Sequence, residues 1–410
     1  MLPQNELAEV VEKALEKIIE RWQSDPDSFL SANIASEAAA SFIKKREKNW
    51  ATPQTCLHPG CGKPSIPFSH SIQKNGPLKL IAEHDELLRP IYDIFHGTIV
   101  LRKIRIGKAS TFPGFCSEHD ETVFKNFENK KKLSSEDDFE LQTFRTVCRE
   151  LRRIQHDKFR TEAVLESQPE MFKREVIQRM KGMVGESFWL ENNLDGSSLS
   201  VDILNSQITQ FRNRLISLNH DYRTFYDEFY KPFDDSRGIN NNAFAHFRLE
   251  LPIMVPVCLS GSLIFKIESP QFSMRTKAVL NIQPNPSGTN LWVTVAKQDE
   301  AAFRIYFENI RRSPSPVLYG LNMIERFMTT GANHWFIKPR VWDRIPRNRQ
   351  TTICAKIFDS SNKVPNDKEL SIFDALRISI IEELKPMRGR LEIDQIIMRE
   401  QEKLEDVRAC

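Results

Sequence analysis

The chain has no run of about 18 uncharged apolar residues, the minimum for a membrane-spanning helix. Its first residues, MLPQNELAEVVEKALEK, set charge among the apolar positions where a secretion signal would carry an unbroken apolar core. A soluble, cytoplasmic protein without membrane partners is the expectation. A surplus of one charge is also missing: 58 basic against 55 acidic residues leave a formal net charge of +3. Any affinity for nucleic acid must therefore come from a local patch. Seven cysteines in 410 residues, an odd number with only three in suggestive positions, do not make a disulfide framework. Cys148, Cys258 and Cys354 stand in apolar surroundings and read as buried thiols, while Cys410 ends the chain. No internal repeat, glycine-rich phosphate loop or nucleophile-elbow motif occurs, which removes several enzyme classes.

What remains is 410 residues at 40% hydrophobic and 28% charged, enough for two or three domains with sizeable cores. Leu7, Val11, Leu15, Ile18 and Trp22 recur at helical spacing, so residues 1–50 are expected to be helical. Ser134 and Ser135 ahead of Glu136, Asp137 and Asp138 form an N-cap with acid in the first turn, and Phe144, Val147, Leu151 and Ile154 continue that helix. From Leu204 through Ile208, Phe211, Leu215, Leu218, Tyr222 and Phe225 to Phe229 the steps alternate four and three, the seam of a coiled coil. An intramolecular hairpin and a homodimer through helix 204–229 both satisfy it. The stretch NNLDGSS supplies the preceding break. From Phe247 to Val257 the period becomes two, with Pro252 and Pro256 marking an edge or bulged strand. SLIFKIES, KAVLNIQ and NLWVTVAK read as further strands, the last two joined by the turn PNPSGT, and helices follow to the C-terminus. The expected fold is α+β and multidomain: a helical segment 1–50, a metal-organised module 51–130, a helical coiled-coil region 131–235 and a mixed antiparallel sheet and helix domain 236–410.

The module carries the chemistry. Cys56 and Cys61 enclose LHPG, a tight turn that can aim two thiolates at one ion. Cys116 and His119 follow at a spacing that fits the first turn of a helix beginning near Ser117. Together these four make the Cys₃His set of a closed structural zinc site. His58, inside the knuckle, is either a replacement ligand or a solvent-facing turn residue.

His70 lies in PFSHSIQ between the two pairs. A zinc knuckle, a strand ending in a His, a second strand and a ligand pair entering a helix resemble the HNH, or ββα-metal, endonucleases. ASTFPGFCSEHDETVF with the upstream SHSIQ also looks like an uncharacterised bacterial group of HNH-type proteins. The resemblance covers about residues 51–130. It implies that His70 is the general base activating water against a phosphodiester, and that Asp120 helps hold a catalytic Mg²⁺ or Mn²⁺ ion. Ser69 departs from the family, where many members have an Asp, and no Asn counterpart stands among Lys108 to Thr111.

Arg105 and Lys108, with Arg102 and Lys103, line the expected second strand; Arg145, Arg149 and Arg152 follow on the next helix. These side chains are candidate phosphate contacts or a solvated face. In GANHWFIKPRVWDRIPRNRQ, His334 and five basic residues accompany Trp335, Phe336 and Trp342, aromatics that read as core. Three functions stay open: a DNA endonuclease, with defence against foreign DNA as one setting; a non-catalytic zinc scaffold or sensor; and a nucleic-acid binder that does not cut.

Overall fold

The computed structural model describes residues 3, 6, 9–14, 16–18, 48–93, 98–128, 130, 132–192, 205–236, 242–269, 272–330, 334–359 and 371–405. Contacts group the chain into two compact units, Met1–Trp50 with Arg153–Thr224, and Ala51–Arg152 with Phe225–Cys410. These units cut across the four segments expected above. No helix among the described residues is long and apolar enough to cross a membrane.

The first unit is helical. Of the N-terminal series Ile18 is buried and Val11 half-buried, whereas Leu7, Leu15 and Trp22 fall outside the described residues. Of the expected seam on α3 (Asn205–Phe225), Leu218 is buried and Leu215 and Tyr222 are half-buried, while Ile216, off the seam, is exposed; the side chains of Leu204, Ile208 and Phe211 fall outside the described residues. Gln155 Nε2 donates to Tyr222 Oη at 3.2 Å, joining the early and late helices of this unit as an intramolecular hairpin would.

In the second unit, strands β2 (Glu86–Asp93), β3 (Thr98–Arg105), β5 (Phe244–Leu251), β6 (Val257–Ser269), β7 (Phe272–Asn285), β8 (Gly288–Ala296) and β9 (Trp335–Ile337) form one antiparallel sheet. Its order is β3-β2-β9-β6-β7-β8-β5. Two strands from the 51–130 segment thus share a sheet with the C-terminal half, bridged by β9: Leu88 opposes Ile337, which opposes Val257. That is why residues 51–130 do not separate as a body of their own. The alternating stretch 247–257 is an edge strand, as its prolines imply, but it stops at Leu251 before Pro252 and resumes only at Val257 after Pro256. At the β7–β8 turn Asn285 opposes Gly288. A Cβ on Gly288 would lie 2.1 Å from the Leu251 carbonyl oxygen, so only glycine fits.

One sheet face is apolar. Phe247, Leu249 and Leu251, with Leu280, Ile282, Leu291 and Val293, pack against helices α4 (Glu300–Arg312), α5 (Pro316–Thr330), α7 (Arg347–Asp359), α8 (Asp374–Leu384) and α9 (Leu391–Glu405). A short helix α6 (Pro339–Asp343) lies between α5 and α7 in sequence. Trp335, Phe336 and Trp342 are core residues, as expected. The opposite face is polar yet also covered. Helix α2 (Glu136–Val184) lays Gln142, Thr143, Thr146 and Glu150 on it at helical spacing. Gln142 and Thr146 both donate to Asn281 Oδ1, at 3.1 and 2.8 Å, and Ser262 donates to Glu150 at 3.1 Å. The predicted cap is present: the Asp138 N–H donates to Ser135 Oγ, and the Asp138 carboxylate accepts from the N–H groups of Ser134 and Ser135.

His246 on β5 makes this sheet pH-sensitive. Burial, with Lys297 adding repulsion, lowers its pKa from the usual 6.5 to about 4. The folded form therefore holds His246 neutral, and stability present above pH 6.5 is lost as pH falls towards 4, by about 2–3 kcal/mol. Comparing urea unfolding of the wild type and His246→Gln across pH 7 to 4.5 checks this. The wild type should lose stability faster, and parallel curves would contradict it.

Candidate metal centre

The knuckle is a hairpin. Thr55 bridges Pro64, the Cys56 N–H donates to Lys63 O at 2.9 Å, and the Cys61 N–H donates to His58 O at 3.0 Å. Gly60, with φ of +73°, takes the left-handed turn that brings Cys61 back beside Cys56. Backbone bonds from Leu57 N–H to Gly114 O (2.9 Å) and from Ile66 N–H to Phe115 O (2.7 Å) fasten this hairpin to the segment carrying Cys116. Helix α1 (Ser117–Glu128) begins immediately afterwards and presents His119 from its first turn. Phe115 anchors the junction, packing on Phe112, Phe124 and Phe144.

The ligand atoms of Cys56, Cys61, Cys116 and His119 all lie within 4.8 Å of one another, a group that could hold one metal ion. His119 Nδ1 is 3.5 Å from Cys56 Sγ and 3.3 Å from Cys116 Sγ. Bonds of about 2.3 Å to thiolate and about 2.0 Å to imidazole would set tetrahedral ligands roughly 3.5–3.8 Å apart, so the donors suit an ion of zinc's size. The sulfur of Cys56 accepts backbone N–H groups from His58 (3.4 Å) and Cys116 (3.2 Å), which favour a thiolate. Burial nevertheless pushes the Cys56 thiol up to about 12. Burial pushes Cys116 up as well, but bonds from the His119 N–H and the neighbouring cysteines lower it overall. Cysteines bind a metal only as thiolates, so an ion in this group would displace the Cys56 proton. His58 is a half-buried residue of the turn, outside the four-donor group. It stacks on His119 with ring centroids 3.8 Å apart and braces the ligand's ring.

Beyond the cluster, strands β1 (Ser69–His70) and β4 (Thr111–Phe112) pair antiparallel, His70 opposite Thr111, and α1 follows. The strand that partners the His strand is thus β4. The more conspicuous TIVLRKIR stretch is β3, the outer edge of the large sheet, placed there by its eight-residue pairing with β2.

His70 ends β1, and its Nδ1 is 3.3 Å from Ser110 Oγ. Burial lowers its pKa; Glu128 and a hydrogen bond to the Ala109 backbone oppose the shift, and Arg145 and Lys74 add to it. The imidazole is therefore neutral at pH 7. Asp120, in the first turn of α1, is bonded to Ser69 and is raised by burial against the pull of Arg145. Its Oδ1 is buried with no hydrogen-bond partner. Ser69 is fully buried; its hydroxyl oxygen accepts the Phe115 N–H at 3.2 Å.

The five candidate phosphate contacts divide. Arg105 and Lys108 are exposed. Arg145 is buried, paired with Glu128 and set over the Phe124 ring at 4.1 Å. Arg149 pairs with Glu150, and Arg152 donates to the carbonyls of Pro113 (3.0 Å) and Thr55. Arg145 thus holds α1 and Arg152 holds the knuckle from within, while Arg149 pairs along α2 itself. Ser110 was not singled out by the sequence. Its signal is faint, a serine in the turn between β3 and β4, and only its φ of +59° and its contacts give it weight. No protein-family model, curated protein or solved structure matches the chain.

Proposed function

We propose that residues 51–130 carry a zinc-ordered module of the HNH type and that the protein is a metal-dependent endonuclease acting on DNA. One observation supports this above others: a two-strand antiparallel pair carries His70, its neighbour Ser69 bonds both Asp120 in the first turn of α1 and the Phe115 N–H, and Phe115 adjoins Cys116 of the four-donor cluster. Zinc at Cys56, Cys61, Cys116 and His119 would be structural, since four protein ligands leave no open position.

In this reading His70 is the general base. Its neutral ring takes a proton from the attacking water. Asp120 offers Oδ1, a buried carboxylate oxygen with no other partner, to Mg²⁺ or Mn²⁺. Such an ion would stabilise charge on the scissile phosphate and leaving oxygen. Ser69 orients Asp120. Arg105 and Lys108 are the exposed cations left for phosphate contact, and Phe68, 59% exposed two residues before His70, offers a base a stacking surface.

Plasmid incubated with the purified protein and Mg²⁺ or Mn²⁺ should be cut, and a folded His70→Ala variant should be slower by roughly 10²–10⁴-fold. An uncut plasmid, or equal cutting by the variant, would refute the assignment. A non-catalytic zinc scaffold has one observation in its favour: Ser69 is tied to Phe115 and Asp120, so a single carboxylate faces the ion site. That reading expects His70→Ala to leave cellular function intact while removal of the metal abolishes it.

A further inference from the structure

The hydrogen bonds behind His70 decide which ring nitrogen is free. Ser110 Oγ has one proton, and the Ile72 carbonyl at 3.2 Å can only accept it. With that proton committed, Ser110 Oγ turns its lone pairs to the Ile72 N–H at 3.4 Å and to His70 Nδ1 at 3.3 Å. In this assignment Nδ1 carries the hydrogen, with the Ala109 backbone as a second acceptor for it, and the lone pair is left on Nε2.

The arrangement continues inward to a residue from the far end of the chain. The Ser110 carbonyl accepts from the Ser71 N–H at 2.9 Å and from the Ser71 hydroxyl at 3.1 Å. Ser71 Oγ, its proton so committed, meets His334 Nε2 at 2.7 Å and must accept. Ser71 and Ser110 are buried, and His334 nearly so, so water does not compete for these bonds. The left-handed backbone of Ser110 (φ +59°), unusual outside glycine, is what lets its carbonyl and its hydroxyl serve two different partners.

We infer that Ser110 is the positioning residue for His70, locking it as the Nδ1–H tautomer with Nε2 as its free base atom, and that His334 holds Ser110 in place through Ser71. The catalytic importance of this rests on the endonuclease reading above; the tautomer itself does not. It also gives the GANHWFIKP segment a role that its aromatic and basic composition did not indicate. The two histidines are assigned opposite tautomers, Nδ1–H for His70 and Nε2–H for His334.

Long-range ¹⁵N–¹H correlation spectra of the full chain, labelled only in its histidine rings and assigned with His70→Gln and His334→Gln, read both tautomers directly. The wild type is expected to show a protonated Nδ1 on His70 and a protonated Nε2 on His334. Ser110→Gly keeps the left-handed backbone and deletes the hydroxyl. It should turn the His70 signal into the exchange-averaged pattern of an unrestrained ring and lower cleavage at least tenfold. His334→Gln retains a donor and should leave His70 locked, whereas His334→Leu should loosen it. A wild-type His70 protonated on Nε2, or a Ser110→Gly spectrum unchanged at His70, would overturn the inference even if the glycine variant folded poorly. A plasmid left uncut by the wild type would remove the endonuclease reading and leave the tautomer result standing.

Discussion

Replacing Cys116 with serine should empty the metal centre. Elemental analysis of the wild type is expected to give about one zinc per chain, the stoichiometry of a single four-ligand site, and of Cys116→Ser almost none. Cys116 does two things at once: its sulfur is one of the four donors, and its N–H supports the sulfur of Cys56 at 3.2 Å. A serine hydroxyl retains the backbone bond and loses the thiolate. Structural zinc contributes roughly 10–16 kcal/mol of apparent binding free energy in zinc-finger peptides, and that energy is folding energy. Even a net loss of about 3 kcal/mol would lower the melting temperature of a unit this size by roughly 5 °C. Two controls sharpen the result. Cys148→Ser alters a buried thiol outside the cluster and should keep its zinc; His58→Ala removes the stacked ring and should keep it too. Equal zinc in Cys116→Ser and the wild type would show that the four donors do not act together.

Arg377→Met should cost about 3–5 kcal/mol of unfolding free energy, the usual penalty for breaking a buried ion pair from one side. The Arg377 side chain is 0% exposed, between Glu325 at 3% and Glu400 at 0%. It donates to both carboxylates, to Asn322 Oδ1 at 2.9 Å and to Ser371 Oγ at 3.1 Å. Glu325 also accepts the N–H groups of Ile372 (2.7 Å) and Phe373 (2.9 Å), satisfying two buried donors just ahead of α8. One guanidinium therefore ties α5, α8 and α9 together. Burial alone would raise Glu325 strongly, and Arg377 with those N–H groups works against it. Without the arginine, two carboxylates face a dry interior, although Lys403, 3.1 Å from Glu400, compensates one of them in part. Pairing Arg377→Met with Glu400→Gln should recover part of the loss. Denaturant unfolding of the single and double variants measures the coupling, and a single variant within about 1 kcal/mol of the wild type would mean that water reaches the cluster.

The parts of the site that were legible in sequence share a property: their chemistry is written in local spacing. Two cysteines around a Pro-Gly turn, and a Cys-x-x-His at a helix start, constrain one another over a few residues, so the four-donor group could be read from the chain. The Ser135 cap, the edge character of β5 and the buried thiols were legible for the same reason. Arg145, Arg149 and Arg152 were misleading because a basic helical stripe has the same spacing whether it faces solvent or a carboxylate. Glu128, which pairs with Arg145, comes from another helix, and no period links them. Strand β3 drew attention over β4 for a similar reason: eight β-branched and long residues make a clear pattern, and two residues make none.

The sequence by itself determined which four side chains form the candidate metal group and the order of strands β5 to β8 with the two helices after them, because each depends on neighbours within a turn or two of chain. Only the tertiary structure decided that β2 and β3 join that sheet through β9, that the arginines of α2 lie inside, and that His334 reaches Ser71 across 263 positions. Those outcomes depend on which buried polar group finds which partner once water is excluded. That choice is made by packing between distant segments, and local periodicity carries no record of it.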